Sequence, residues 1–345
     1  MRRICLYLSV LFTAFSCIDR VELPIRAEAP RLVVEGQITN EAPPYTVRLT
    51  YTGRYDLEGQ NPANQFVRNA QVSIADDAGR TTRLATTSEG GVYRTFDLSF
   101  RGQVGRSYTL TVVMPDGKRY VSASEQMPAV PVIDSVSSRL IQTNSFIAPY
   151  QYAYSISTQD PPGVRNYYRW TAFGLTVRKS TGVLCPPFTT GICFDNCYTT
   201  ETSTRVNIFS DDAINGNVIQ NRAVFQLPVY APWPQWVEVQ QYGMTLRNYQ
   251  FWKLYQQQGV RTGSIFDPLP APVVGNVSNA DDPADRARGY FAVTSVARLR
   301  VRNNALEARQ STAVFGFLAS QPVPRGDCRD TYGRTTPVTL PPGWP

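Results

Sequence analysis

Apolar and polar positions alternate along most of this chain. From Arg31, Leu32, Val34 and Ile38 fall on one side of an extended segment with Gly36 between them, and Tyr45-Thr46-Val47-Arg48-Leu49-Thr50-Tyr51 continues the alternation. Patterning with period two predicts half-buried strands. Further strands are predicted over 70–75, 81–86, 92–96, 107–113 and 120–124. Turn sequences separate them: Asp76-Asp77-Ala78-Gly79, Glu89-Gly90-Gly91 and Pro115-Asp116-Gly117. About seven short strands in ~100 residues predict an immunoglobulin-like sandwich over 31–130.

The strand spacing also resembles small sandwich domains of the transthyretin and carboxypeptidase-regulatory type, which are commonly non-catalytic. Pro128 and Pro131 interrupt any ladder because proline has no donor, so a boundary is placed there and 131–345 is read as a second, larger β-rich domain. Within it Tyr150, Tyr152, Tyr154 and Ile156 alternate, as do Phe173, Leu175 and Val177 after Trp170. Phe291, Val293, Ala297, Leu299 and Val301 line one side of a single long stretch. One helix is predicted over 246–258: Thr245 is the N-cap, no Gly or Pro intervenes, and Gly259 closes it. Leu246, Tyr249, Trp252 and Tyr255 recur at helical spacing and are expected to form its packing face. The fold class expected is mainly β.

Residues 1–17 break the pattern. Arg2 and Arg3 precede an apolar run from Ile4 to Phe15, and small Ala14 and Ser16 stand before Cys17. This is the layout of a cleaved export signal, and the run is too short to span a bilayer. Cys17 is read as the acylated first residue of a bacterial lipoprotein, with 18–30 as its tether. A secreted protein cut nearby, with Cys17 incidental, is the alternative.

Charge and chemistry narrow the classes. Lys and Arg number 34 against 27 Asp and Glu, a net +7, and the excess is scattered as single arginines, so no nucleic-acid footprint is expected. The chain has no histidine, which removes Ser-His-Asp and Cys-His catalysis and histidine-containing zinc sites. Four cysteines beyond Cys5 and Cys17 read as two disulfides in an exported protein, with three possible connectivities, of which Cys185 with Cys193 and Cys197 with Cys328 is the favoured one. A four-thiolate zinc site is the rival reading. The proline-aromatic stretch at 229–236 carries Tyr230, Trp233 and Trp236 and is the candidate contact surface, unless the loop folds back and buries its indoles. Asp267, Asp281, Asp282 and Asp285 are calcium candidates set against ordinary turn and capping roles.

The order Gly263-Ser264-Ile265-Phe266-Asp267-Pro268, Gly275-Asn276-Val277, Asp281-Asp282-Pro283 and Gly289-Tyr290-Phe291, with SCIDRVEL at 16–23 and RLVVEGQITNE at 31–41, carries a resemblance. It resembles a family of Bacteroidota lipoproteins catalogued as a domain of unknown function and typically encoded near TonB-dependent receptors. The resemblance implies a non-enzymatic outer-membrane lipoprotein, an accessory or ligand-presenting partner of such a receptor, with no cofactor and no catalytic residues to transfer. A stand-alone glycan-binding lipoprotein, stacking sugars on Trp233 and Trp236, is the alternative. A carboxylate-dependent hydrolase using a pair such as Asp267 and Glu238 is the remaining class.

Overall fold

The computed structural model describes residues 29–53, 65–181, 193–259 and 273–345. Cys17, Cys185 and Asp267 lie outside the described residues. The protein is mainly β. In its first module β1 (Leu32–Ile38), β2 (Thr46–Tyr51), β3 (Gln65–Phe66), β4 (Gln71–Asp76), β5 (Thr81–Thr86), β6 (Val92–Thr95), β7 (Ser107–Val113), β8 (Arg119–Ser122) and β9 (Glu125–Gln126) follow in chain order. The alternation of each strand sends one set inward: Leu32, Val34 and Ile38 of β1, Val72 and Ile74 of β4, and Tyr108, Leu110 and Val112 of β7 share one core.

The second module contains β10 (Ser135–Gln142), β11 (Tyr150–Gln159), β12 (Tyr167–Lys179), β13 (Asn196–Thr202), β14 (Asn207–Ser210), β15 (Val218–Pro228) and β16 (Gln235–Met244). After them come helix α1 (Leu246–Gly259), β17 (Val277–Asn279), β18 (Arg288–Val293), β19 (Ser295–Asn303), α2 (Leu306–Gln310), α3 (Thr312–Ser320) and α4 (Cys328–Tyr332). A three-stranded sheet, β10-β11-β15, faces a five-stranded one ordered β13-β12-β16-β19, with β14 also on β12. Tyr152, Tyr154 and Leu227 from the first meet Tyr168, Trp170 and Val239 from the second, and Ala308 of α2 and Val314 of α3 join the same core.

The sequence reading of 31–130 and 131–345 as separate units is corrected by β17 and β18. The first sheet runs β17-β8-β7-β4-β5-β6-β2-β1-β18, and β18 pairs in parallel with β1. Val277, Phe291 and Val293 complete the first core. The reason is edge protection: β1 and β8 would otherwise leave unpaired backbone groups, and distant segments cover them. The two ends of the sheet then meet, because the Asn276 side chain donates to the Phe291 carbonyl at 2.8 Å and accepts from its N–H at 2.9 Å. The sandwich is thus one nearly closed sheet. Gly289 is needed at the closure: its φ is +78°, and a Cβ there would lie 2.2 Å from the Val34 carbonyl oxygen.

The stretch 291–301 also divides where the pattern predicts one element. Thr294 is the break, and it is buried between the modules. Its N–H donates to the Ile38 carbonyl at 3.1 Å and its hydroxyl to the Gly243 carbonyl at 2.5 Å. The chain therefore leaves the first sheet as β18 and enters the second as β19 almost at once. Asn40 strengthens the joint, accepting from Val296 N–H at 2.8 Å.

Candidate functional site

A cavity of about 1100 Å³ lies at this joint. Because Leu32, Val34 and Ile38 turn inward, the intervening Val33, Glu35 and Gln37 of β1 face outward and form one wall. Tyr290 and Ala292, the partners of Glu35 and Gln37 on β18, lie beside them. Tyr242 and Met244 at the end of β16, Arg169 of β12, and Asn248, Phe251, Trp252 and Tyr255 of α1 supply the rest.

Helix α1 is set over the cavity by its cap. The Thr245 hydroxyl accepts from Asn248 N–H at 3.2 Å and donates to the buried Glu125 carboxylate of the first module at 2.7 Å. Glu125 also receives the Tyr290 hydroxyl and the Asn276 amide. Burial first, then the Glu125 charge, push the Tyr290 phenol far above its ordinary pKa, so it is a fixed donor. The buried residues of α1 are Asn248 and Phe251, rather than the Leu246-Tyr249-Trp252-Tyr255 stripe. Leu246 and Tyr255 are exposed, because the helix presses on β18 through Phe251, whose ring centre is 4.9 Å from that of Tyr290. Tyr249 rests on Tyr167 at the same spacing, and Trp252 stacks on Arg169.

Two arginines of the cavity differ sharply. Arg298 is fully engaged: it pairs with Glu41 through Nε and Nη2 and with Glu238 through Nη1, each at 2.5 Å. Arg169 sits with its guanidinium carbon 3.9 Å from the Trp252 ring centre and 5.8 Å from that of Tyr242, and no carboxylate among the described residues pairs with it. Its Nε is buried with no acceptor, and burial draws its pKa below the ordinary guanidinium value. The buried Asn248 Oδ1 is likewise without a donor.

The sequence-predicted residues are dispersed. Trp236 is 7% exposed; it is the second residue of β16 and packs with Leu175 and Trp344, its indole N–H donating to the Pro345 carbonyl at 3.1 Å. Tyr230 is covered by Arg178, whose guanidinium lies 3.0 Å from the ring centre, and donates to Glu201 at 3.3 Å. Trp233 alone is open, at 40% exposure, with Lys179 over its ring. The expected aromatic surface is therefore largely folded back, and of the two indoles on which sugar stacking was to rest one is buried and one exposed.

Cys197 is bonded to Cys328 with Cα atoms 5.8 Å apart, which removes the four-thiolate zinc reading. Cys193 is also disulfide-bonded. Asp282 caps Ala284 N–H, and Asp285 accepts from Tyr120 and Asn279, so these aspartates serve turns. Among the described residues no group of three acidic or cysteine side chains is placed to hold a metal, and Asp267, the fourth calcium candidate, lies outside them. Glu238 is fully buried and committed to Arg298, Arg300 and Gln240, so it is not the cleft-facing carboxylate a hydrolase requires. Arg169 and Asn248 carried little signal: one is a single cation inside the aromatic run YYRW, the other a polar residue off the apolar stripe of α1.

The family model described as Domain of unknown function (DUF4249) matches residues 18–300. This chain belongs to the DUF4249 family. Every residue lining the cavity falls inside the matched segment, whereas α2, α3 and α4 of this DUF4249 protein lie beyond it. No curated protein matches the chain. Among solved structures, a DUF4785 family protein from Legionella pneumophila subsp. pneumophila str. Philadelphia 1 is similar at 7% identity with a TM-score of 0.18. The match covers 61% of this chain and 52% of that one, so the chain spans about half the length of that protein.

Proposed function

We propose that this DUF4249 protein is a lipid-anchored outer-membrane protein of Bacteroidota that works by contact rather than catalysis, as an accessory or ligand-presenting partner of a TonB-dependent receptor. The observation that carries the reading is the cavity between the modules. Its walls come from both sheets and α1, it combines aromatic faces with a few polar groups, and Arg169 brings to it a cation that no described carboxylate pairs. The export signal and Cys17 support the anchor, and the resemblance of the sequence supports the receptor.

Affinity capture of the full-length protein from detergent-solubilised outer membrane tests the partner. Co-recovery of a β-barrel receptor in stoichiometric amount is expected. Recovery of the protein alone, under conditions that keep other receptor complexes intact, overturns the partnership. Cys17→Ser is expected to move the protein out of the membrane fraction; unchanged fractionation overturns the anchor.

A further inference from the structure

We infer that the cavity between the modules binds one small organic monocarboxylate carried on an aromatic or otherwise flat body, with Arg169 as its charge partner. The inference rests on the ligand-presenting reading above and names the class of ligand.

Arg169 is the decisive residue. Trp252 and Tyr242 occupy the faces of its guanidinium, but ring stacking cannot satisfy N–H groups that lie in the guanidinium plane. Other arginines near the site have those donors answered: Arg298 by Glu41 and Glu238, Arg300 by Glu238. The Arg169 side chain has no ion pair or hydrogen bond to any described residue, and its Nε is enclosed. A cation in that state is costly, and an incoming carboxylate, whose two oxygens match the Nη1–Nη2 edge that is not enclosed, relieves the cost.

The charge of the ligand follows from the walls. Three arginines, Arg169, Arg288 and Arg298, face two glutamates, Glu35 and Glu41, which leaves one positive charge. Glu35 has no ion-pair partner among the described residues, so a doubly charged phosphate meets about twice the repulsion that a monocarboxylate meets at the same distance. Trp252, Phe251 and Tyr290 give the flat body its apolar contact.

The test is calorimetric titration of the full-length protein with benzoate, 4-hydroxybenzoate and indole-3-acetate, beside neutral 4-hydroxybenzamide and dianionic phenyl phosphate. At least one carboxylate is expected to saturate a single site, with the amide weaker by roughly tenfold or more and phenyl phosphate no tighter than the carboxylate. Arg169→Gln is expected to weaken the carboxylate by roughly tenfold or more while leaving the amide unchanged; exposed Arg83→Gln serves as control. Arg169→Lys keeps the charge and is expected to retain part of the affinity, which preserves the test if the glutamine variant melts early. No saturable binding by any carboxylate up to about 10 mM, equal affinity for acid and amide, or affinity indifferent to Arg169→Gln each overturns the inference. These outcomes are separable from the receptor test, which is read by co-recovery with no ligand added.

Discussion

Arg298 donates to Glu238 across the β16–β19 ladder and, with the other edge of the same guanidinium, to Glu41 in the first module. Glu238 is wholly buried, and Arg300 donates to its second oxygen at 2.6 Å. One carboxylate thus anchors two cations, and one of those cations ties the modules together.

Removing that carboxylate strands both arginines. Burial alone would raise the Glu238 pKa, but the Gln240 amide and the two guanidiniums outweigh it and hold the group below its ordinary value. The stabilisation is therefore complete at neutral pH and is lost as pH falls below the ordinary glutamate pKa of about 4.3. Because the arginine side chains are 38–40% exposed, Glu238→Ala is expected to cost about 2 kcal/mol, at the low side for a broken buried pair. Urea titrations at pH 7 and in the acid range measure it, and the wild-type advantage should shrink in acid.

The Cys197–Cys328 bond closes a sequence separation of 131 residues and fixes α4 against β13. Replacing both cysteines by serine avoids leaving a stray thiol. The double variant is expected to lose about 4 kcal/mol of unfolding free energy, read from the denaturant midpoint. A midpoint equal to wild type would mean that the bond constrains nothing the sheets do not already hold.

Trp236 and Trp233 have opposite expected behaviour despite their proximity in sequence. Trp236→Ala opens a core position and should cost roughly 3–5 kcal/mol, whereas Trp233→Ala, at an exposed position, should stay within about 0.5 kcal/mol. Paired chemical-denaturation curves decide it.

Asp211 and Asp160 form a buried carboxyl pair. Asp211 accepts the Asn166 N–H at 2.8 Å on one oxygen while the other has no partner. Desolvation first, and then Asp160, raise the Asp211 pKa. A raised acid means that the folded state holds a proton that the unfolded state releases, so stability falls as pH rises from the ordinary aspartate pKa through the folded one. Asp211→Asn keeps an acceptor for Asn166 and removes the titration. It is expected to raise Tm at neutral pH and to flatten that fall, as thermal melts across pH 4 to 8 would record.

The first module was legible wherever strand partners are near in sequence, since Val72 with Ile74, and Tyr108 with Leu110, reveal their face by alternation alone. Its closure was not, because β18 joins β1 across some 250 residues and Gly289 looks like any turn glycine until the Val34 carbonyl is seen against it. For the same reason 291–301 read as one strand: Phe291 and Val301 share a period but face different cores. Trp236 was misplaced because the proline-rich run ahead of it masks the start of β16. The cavity had no local signature, since Arg169 acquires meaning only when α1 lays Trp252 across it.

The one-residue handover at Thr294 bears on how the groove behaves mechanically. A clamshell protein needs a slack connector about which its halves swing, but here a taut run of backbone, pinned at Ile38 on one flank and Gly243 on the other, spans the gap. The mouth's width is consequently set when the polypeptide folds, and a visitor must fit the opening it finds.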